Sequence, residues 1–211
     1  MNALAQGRRD EDAADDDRFR ILVVCTGNVI RSPFAAALMQ ASFDAHLPGR
    51  VEVGSAGTAS RRGQPVDGWT REELEGRGLD ASAHRSRMLT APDLRAADLV
   101  LGMTEQHTRA ALELAPSGLR VTFMLTALQR IVVNCDGIVE LDPDDDPTVG
   151  PTGRMRSVIR AADRCRELGA GARAVQDPRG LGIEVHREAI AQVDAAAAAI
   201  VTALLSAKGR S

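Results

Sequence analysis

The chain is short of long apolar runs, of paired cysteines and of charge of one sign. No run approaches the roughly 18 apolar residues that a membrane-spanning helix needs. Met1 to Arg20 has no apolar stretch of the kind a secretory leader carries. Cys25, Cys135 and Cys165 are an odd number at unrelated spacings. This argues against a disulfide framework and against a zinc site, and the expectation is a protein of the reducing cytoplasm. The formal net charge is −3, so the bulk balance suggests neither nucleic acid nor a membrane as partner. Tyrosine is absent, Trp69 is the only tryptophan, and Lys208 is the only lysine among 26 basic residues. This bias is spread evenly and reads as compositional background. With arginine so common, a short motif that ends in arginine is matched by chance more often.

What is present is an ordinary globular composition, 44% hydrophobic and 26% charged over 211 residues. That length buries a core without staples. Residues 1–18 carry Asp10, Glu11, Asp12, Asp15, Asp16 and Asp17 and read as a disordered acidic tail. One domain over 19–207 follows. Phe19 to Val24 is a continuous apolar run, as in a strand buried on both faces. Ser32-Pro33 opens a helix that runs to His46. Strands are expected at 51–53, 99–103 and 119–124, with helices at 69–76, 105–114 and 184–205. Alternating strands and helices predict an α/β fold: a three-layer sandwich around a parallel sheet of about four strands. Residues 126–173 break the rhythm, with an acidic turn at 141–147 and an Arg-rich helix near 155–168. They read as an insertion, either a lid or partner surface or a solvated elaboration.

The chemistry concentrates in Cys25-Thr26-Gly27-Asn28-Val29-Ile30-Arg31-Ser32-Pro33. Cysteine and arginine separated by five residues mean little alone. Here the cysteine ends a buried strand and the arginine starts a helix. Between those points the backbone N–H groups curl toward one centre and, with the helix N-terminus, form an anion site. Gly27 and Asn28 tolerate the positive φ such a turn requires. Arg31 can grip two phosphate oxygens through its planar fork. A cradle that attracts phosphate also favours the thiolate form of a cysteine at its base, and the thiolate is the nucleophile. The bland alternative is a buried, inert thiol at a strand end.

This segment resembles the signature of the low molecular weight protein tyrosine phosphatases. Ser55-Ala56-Gly57-Thr58, His84-Arg85-Ser86-Arg87 and Asp177-Pro178 before a last helix are similar to further family segments. The resemblance spans roughly 20–125 and 174–207. It implies the family's three-layer fold and phosphate monoester hydrolysis without metal or other cofactor. Cys25 is then the nucleophile, forming a phosphocysteine. Arg31 and the amides of Thr26, Gly27, Asn28, Val29, Ile30 and Ser32 bind the phosphate or a sulfate. Asp177 is the general acid. Asn28, Ser32, Ser55 and His84 form the supporting network. The implied partner is a protein bearing phosphotyrosine, such as a bacterial tyrosine kinase.

Three departures matter. Many relatives carry a second cysteine just before the arginine, where this chain has Ile30. The family's Asp-Pro is usually followed by aromatic residues, here replaced by Arg179 and Gly180. The segment 126–173 has no counterpart in the resemblance. Asp142 and Asp146 also precede prolines and compete with Asp177 as the acid; Asp177 is favoured because it directly precedes the closing helix. His46, His107 and His186 have no motif around them and read as surface residues, and Cys135 and Cys165 as structural. Two other functions compete: an inactive phosphate- or phosphotyrosine-binding module, and an arsenate reductase, which needs two further relay cysteines. A dinucleotide enzyme is disfavoured because the first turn lacks Gly-x-Gly-x-x-Gly.

Overall fold

The structure, a computed structural model, describes residues 18–135 and 150–206. The acidic tail up to Asp17 and the turn at 141–147, with Asp142 and Asp146, lie outside the described residues. Four strands, β1 (Phe19–Cys25), β2 (Val51–Gly57), β3 (Leu99–Gly102) and β4 (Thr122–Met124), form one sheet in the order β2-β1-β3-β4. All pairings are parallel; Cys25 sits opposite Gly57 and Val24 opposite Gly102.

Pleating sends alternate residues to opposite faces. Phe19, Ile21, Val23 and Cys25 of β1 join one apolar cluster, whereas Leu22 and Val24 join the other. Burial on both faces is why β1 reads as an unbroken apolar run rather than an alternating one. The larger cluster is covered by α1 (Arg31–His46), α5 (Leu125–Asn134), α6 (Pro151–Arg164) and α7 (Ile183–Leu205). The smaller is covered by α3 (Ala91–Ala96) and α4 (Glu105–Leu114). A short α2 (Gly68–Glu75) follows β2. The result is a three-layer αβα sandwich. Phe34 and Phe43 of α1 are fully buried, and each such ring stabilises the fold by roughly 2–3 kcal/mol relative to exposure.

Several expectations need correction. β4 spans only Thr122–Met124, because Pro116–Val121 winds into a 3-10 turn first. The Arg-rich helix begins at Pro151 and ends at Arg164. The described parts of 126–173 are no surface elaboration: Leu128, Ile131, Met155, Val158, Ile159 and Ala162 lie in the main core. Cys135 and Cys165, expected to be unbonded, form a disulfide joining the ends of α5 and α6. No sequence spacing announces it, because the helices bring the two ends together. Finally, α7 is long and apolar enough to cross a membrane by length and hydropathy. Its alanines make it apolar while keeping it thin, and half of that stretch is buried, with Ile190, Val193, Ala197 and Ile200 packed into the core.

Candidate active site

Strand order places the site. The chain leaves β1 for β2 on one side and returns to β3 on the other, so a crevice opens at the carboxyl end of β1. Cys25 ends that strand, and residues 26–30 form the loop into α1.

The loop's shape is set by six consecutive carbonyls, each tied outward. Those of Cys25, Thr26 and Val29 accept from the backbone N–H groups of Thr58 (2.9 Å), Ala59 (3.0 Å) and Asp67 (2.9 Å). That of Gly27 accepts from Ser60 Oγ at 3.0 Å, and that of Asn28 from His84 Nε2 at 2.8 Å. That of Ile30 accepts from Phe34 N at 3.2 Å. In a trans peptide the N–H points opposite to the C=O. Tying the carbonyls outward therefore turns the amides of the loop inward. The first turn of α1 has no side-chain cap, and its free amides add to the same concavity.

Asn28 is the keystone. It has φ +55°, the only positive value at a non-glycine among the described residues, and it is fully buried. Its Nδ2 donates to Ser32 Oγ (3.0 Å) and Ser55 Oγ (2.8 Å), and its Oδ1 accepts from Arg87 N (3.0 Å). Its backbone N–H points at Cys25 Sγ, 3.3 Å away. Since Ser32 Oγ accepts from Asn28, its own hydrogen is free for Cys25 Sγ at 3.0 Å. The sulfur thus faces two hydrogen-bond donors. Accepting at Asn28 O requires the proton of His84 to sit on Nε2. Burial, chiefly, and the charges of Arg85 and Arg87 lower the His84 pKa against that bond, which favours the neutral ring.

Arg31 is buried, and Nη1 donates to the carbonyl of Val175 at 2.9 Å. Nη2 reaches Thr26 Oγ1 at 3.3 Å and Asp177 Oδ2 at 2.5 Å. Val175 is buried, and its N–H bonds Met103 O just after β3 at 2.9 Å. The segment 175–177 is thereby moored to the sheet, and Asp177 hangs exposed at the mouth. Arg179 also overhangs the loop: a methyl group placed on Gly27 would lie 3.3 Å from its Nη1. Among the described residues no three His, Cys, Asp or Glu side chains converge as a metal site.

The sequence model of the low molecular weight phosphotyrosine protein phosphatases matches residues 20–130. The chain belongs to this family. It is 38% identical over 144 residues to the protein-arginine-phosphatase of Geobacillus stearothermophilus, covering 68% of this chain and 86% of that one. It is 38% identical over 96 residues to the low molecular weight protein-tyrosine-phosphatase Etp of Escherichia coli K12, covering 46% and 62%. Among solved structures it resembles the low molecular weight protein tyrosine phosphatase from T. tengcongensis, with TM-score 0.61, 26% identity and coverage of 87% and 98%. The YwlE arginine phosphatase from G. stearothermophilus superposes with TM-score 0.60 at 28% identity, covering 87% and 91%.

Within this phosphatase fold the residues expected from sequence converge. Cys25, Arg31, Asp177, the loop residues Thr26 to Ile30, Ser32, Ser55 and His84 lie around one concavity. Sequence reasoning missed His107. It is not a surface residue: it is 4% exposed, with Nε2 3.0 Å from Thr26 Oγ1 and Nδ1 3.0 Å from Thr104 Oγ1. His186 is likewise buried, bonded to Thr70 Oγ1 at 2.9 Å and lying edge-on to Trp69. No local motif marks either, because each is buried by a partner far away in the chain. Ser60 and Val175 were also missed; their contributions are a carbonyl tether and a mooring point.

Proposed function

We propose that the protein hydrolyses phosphate monoesters of tyrosine side chains in proteins through a phosphocysteine intermediate. The observation that carries this reading is the Cys25 sulfur at the base of a ring of inward amides, with Arg31 beside it and Asp177 at the mouth. Cys25 Sγ attacks phosphorus, a sulfur–phosphorus bond forms and the ester P–O bond breaks. The amides and Arg31 hold the equatorial oxygens as charge redistributes. Asp177 gives its proton to the leaving phenolate oxygen. It then takes a proton from the water that cleaves the thiophosphate, releasing phosphate and restoring the thiolate. We assign a phosphotyrosine-bearing protein, such as a bacterial tyrosine kinase, as partner. Arg179 at the mouth favours acidic sequences around the phosphorylated residue.

A second reading, a phosphoarginine side chain as substrate, is favoured by the similarity to a protein named as an arginine phosphatase. It is also favoured by Arg179 and Gly180 standing in place of aromatic residues. The test is release of p-nitrophenol from its phosphate ester by the wild type and by Cys25→Ser, followed by paired phosphotyrosine and phosphoarginine peptides. Turnover by the wild type alone is expected, with the phosphotyrosine peptide preferred. If neither protein turns over, the enzyme reading fails and a phosphate-binding module replaces it.

A further inference from the structure

His107 stands on α4, not on the phosphate loop, and α4 is brought close by Gly102. A methyl group on Gly102 would lie 3.0 Å from Thr108 N and 3.1 Å from His107 Cβ. From the first turn of α4 the imidazole reaches Thr26 Oγ1, and this hydroxyl also receives Arg31 Nη2. A guanidinium only donates, so the Thr26 oxygen accepts from Arg31 and its own hydrogen goes to His107 Nε2. With Nε2 accepting, the neutral ring carries its proton on Nδ1, which faces Thr104 Oγ1 at 3.0 Å. The bonds then run one way, from Arg31 through Thr26 and His107 to Thr104, and aligned bonds of this kind strengthen one another.

We propose that His107 is a positioning residue for the Arg31 guanidinium, acting through the Thr26 hydroxyl. The inference rests on Arg31 as the group that grips the phosphate. The imidazole is buried and both its nitrogens are engaged, so it does not touch substrate. The helix cap does not need the ring, because Thr104 Oγ1 caps α4 through the His107 backbone N–H at 3.4 Å. What the ring adds is an acceptor that orients the Thr26 hydroxyl and holds one edge of the Arg31 fork in place before phosphate arrives. Burial and the nearby Arg31 charge push the His107 pKa down to about 4, so the acceptor persists across the neutral range.

The test compares His107→Phe, which keeps a ring but has no acceptor, with His107→Gln, which can still accept. Thr26→Val and the double variant complete the cycle. The readouts are the affinity for inorganic phosphate by calorimetry, kcat and KM for p-nitrophenyl phosphate, and Tm. His107→Phe and Thr26→Val should each weaken phosphate binding and kcat/KM by roughly three- to tenfold, the worth of one buried hydrogen bond. The double variant should be no weaker than Thr26→Val alone, and His107→Gln should recover most of the loss. Wild-type phosphate affinity in His107→Phe, or additive losses, overturns the proposal. If His107→Phe does not fold, wild-type phosphate affinity in Thr26→Val overturns it instead. Failure of the wild type to turn over substrate would sink the enzyme reading, yet phosphate affinity would still report on this relay.

Discussion

Asn28 uses its backbone N–H, its backbone carbonyl and both ends of its amide side chain to hold a left-handed turn under the sulfur. Such a residue was partly legible: an Asn next to a Gly, five residues before a proline, suits a loop that curls inward. Ser32, Ser55 and His84, its partners, were legible only through family resemblance, since Ser55 and His84 lie 27 and 56 positions away. Asp177 was legible for the same reason, and its bond to Arg31 gives it a place at the mouth. Asp177→Asn should lower kcat on p-nitrophenyl phosphate by about 10²–10⁴-fold while the first-step nucleophile remains intact; stopped-flow measurement of the phosphocysteine checks this. Ile30 bears on oxidation. Cys25 is the one free cysteine among the described residues, and Cys135 and Cys165 are bonded to each other. Peroxide should therefore drive Cys25 beyond the sulfenic acid, with no neighbouring thiol to intercept it. Full recovery of activity with dithiothreitol after prolonged exposure would contradict this.

At the scale of elements, the phosphate loop is shaped by its neighbour strand as much as by its own sequence. Gly57 ends β2 opposite Cys25, and a methyl group there would meet the carbonyl oxygen of Thr26 at 2.5 Å and Asn28 N at 3.1 Å. Backbone atoms give way less easily than side chains, so Gly57→Ala should cost about 1–3 kcal/mol by overpacking. It should also depress kcat, because the displaced atoms belong to the loop. Urea unfolding at unchanged m separates the two effects. The boundaries of β1, α1, α4 and α7 followed from apolar pattern and caps. The start of β4 did not, because Pro116 and Gly118 turn a β-like run into a 3-10 turn. Helix α3 was overlooked, although Thr90 and Asp93 form a capping box around Pro92; six residues with one buried leucine carry too little periodicity to be noticed. His107 was invisible from sequence for a different reason: its partner Thr26 is 81 positions away and is reached only once β3 pairs with β1.

Across the whole molecule, His84, His107 and His186 share one electrostatic fate: burial lowers the pKa of each. A histidine that is neutral when folded and free to protonate when unfolded makes the unfolded state the better proton acceptor. The stabilising contribution of His107 is therefore complete above its ordinary value of 6.5 and is lost as pH falls toward about 4. The other two add in the same direction. The protein should lose on the order of 2–3 kcal/mol between pH 6.5 and 4 from His107 alone. His107→Gln should flatten that part of the stability curve, which chemical denaturation at a series of pH values measures.

β1 runs from Phe19 to Cys25, and seven extended residues span about 20 Å. An affinity handle or surface tether joined directly at Phe19 therefore leaves from the pole opposite the Cys25 sulfur. Immobilised by that end, the enzyme would present its mouth to the bulk liquid.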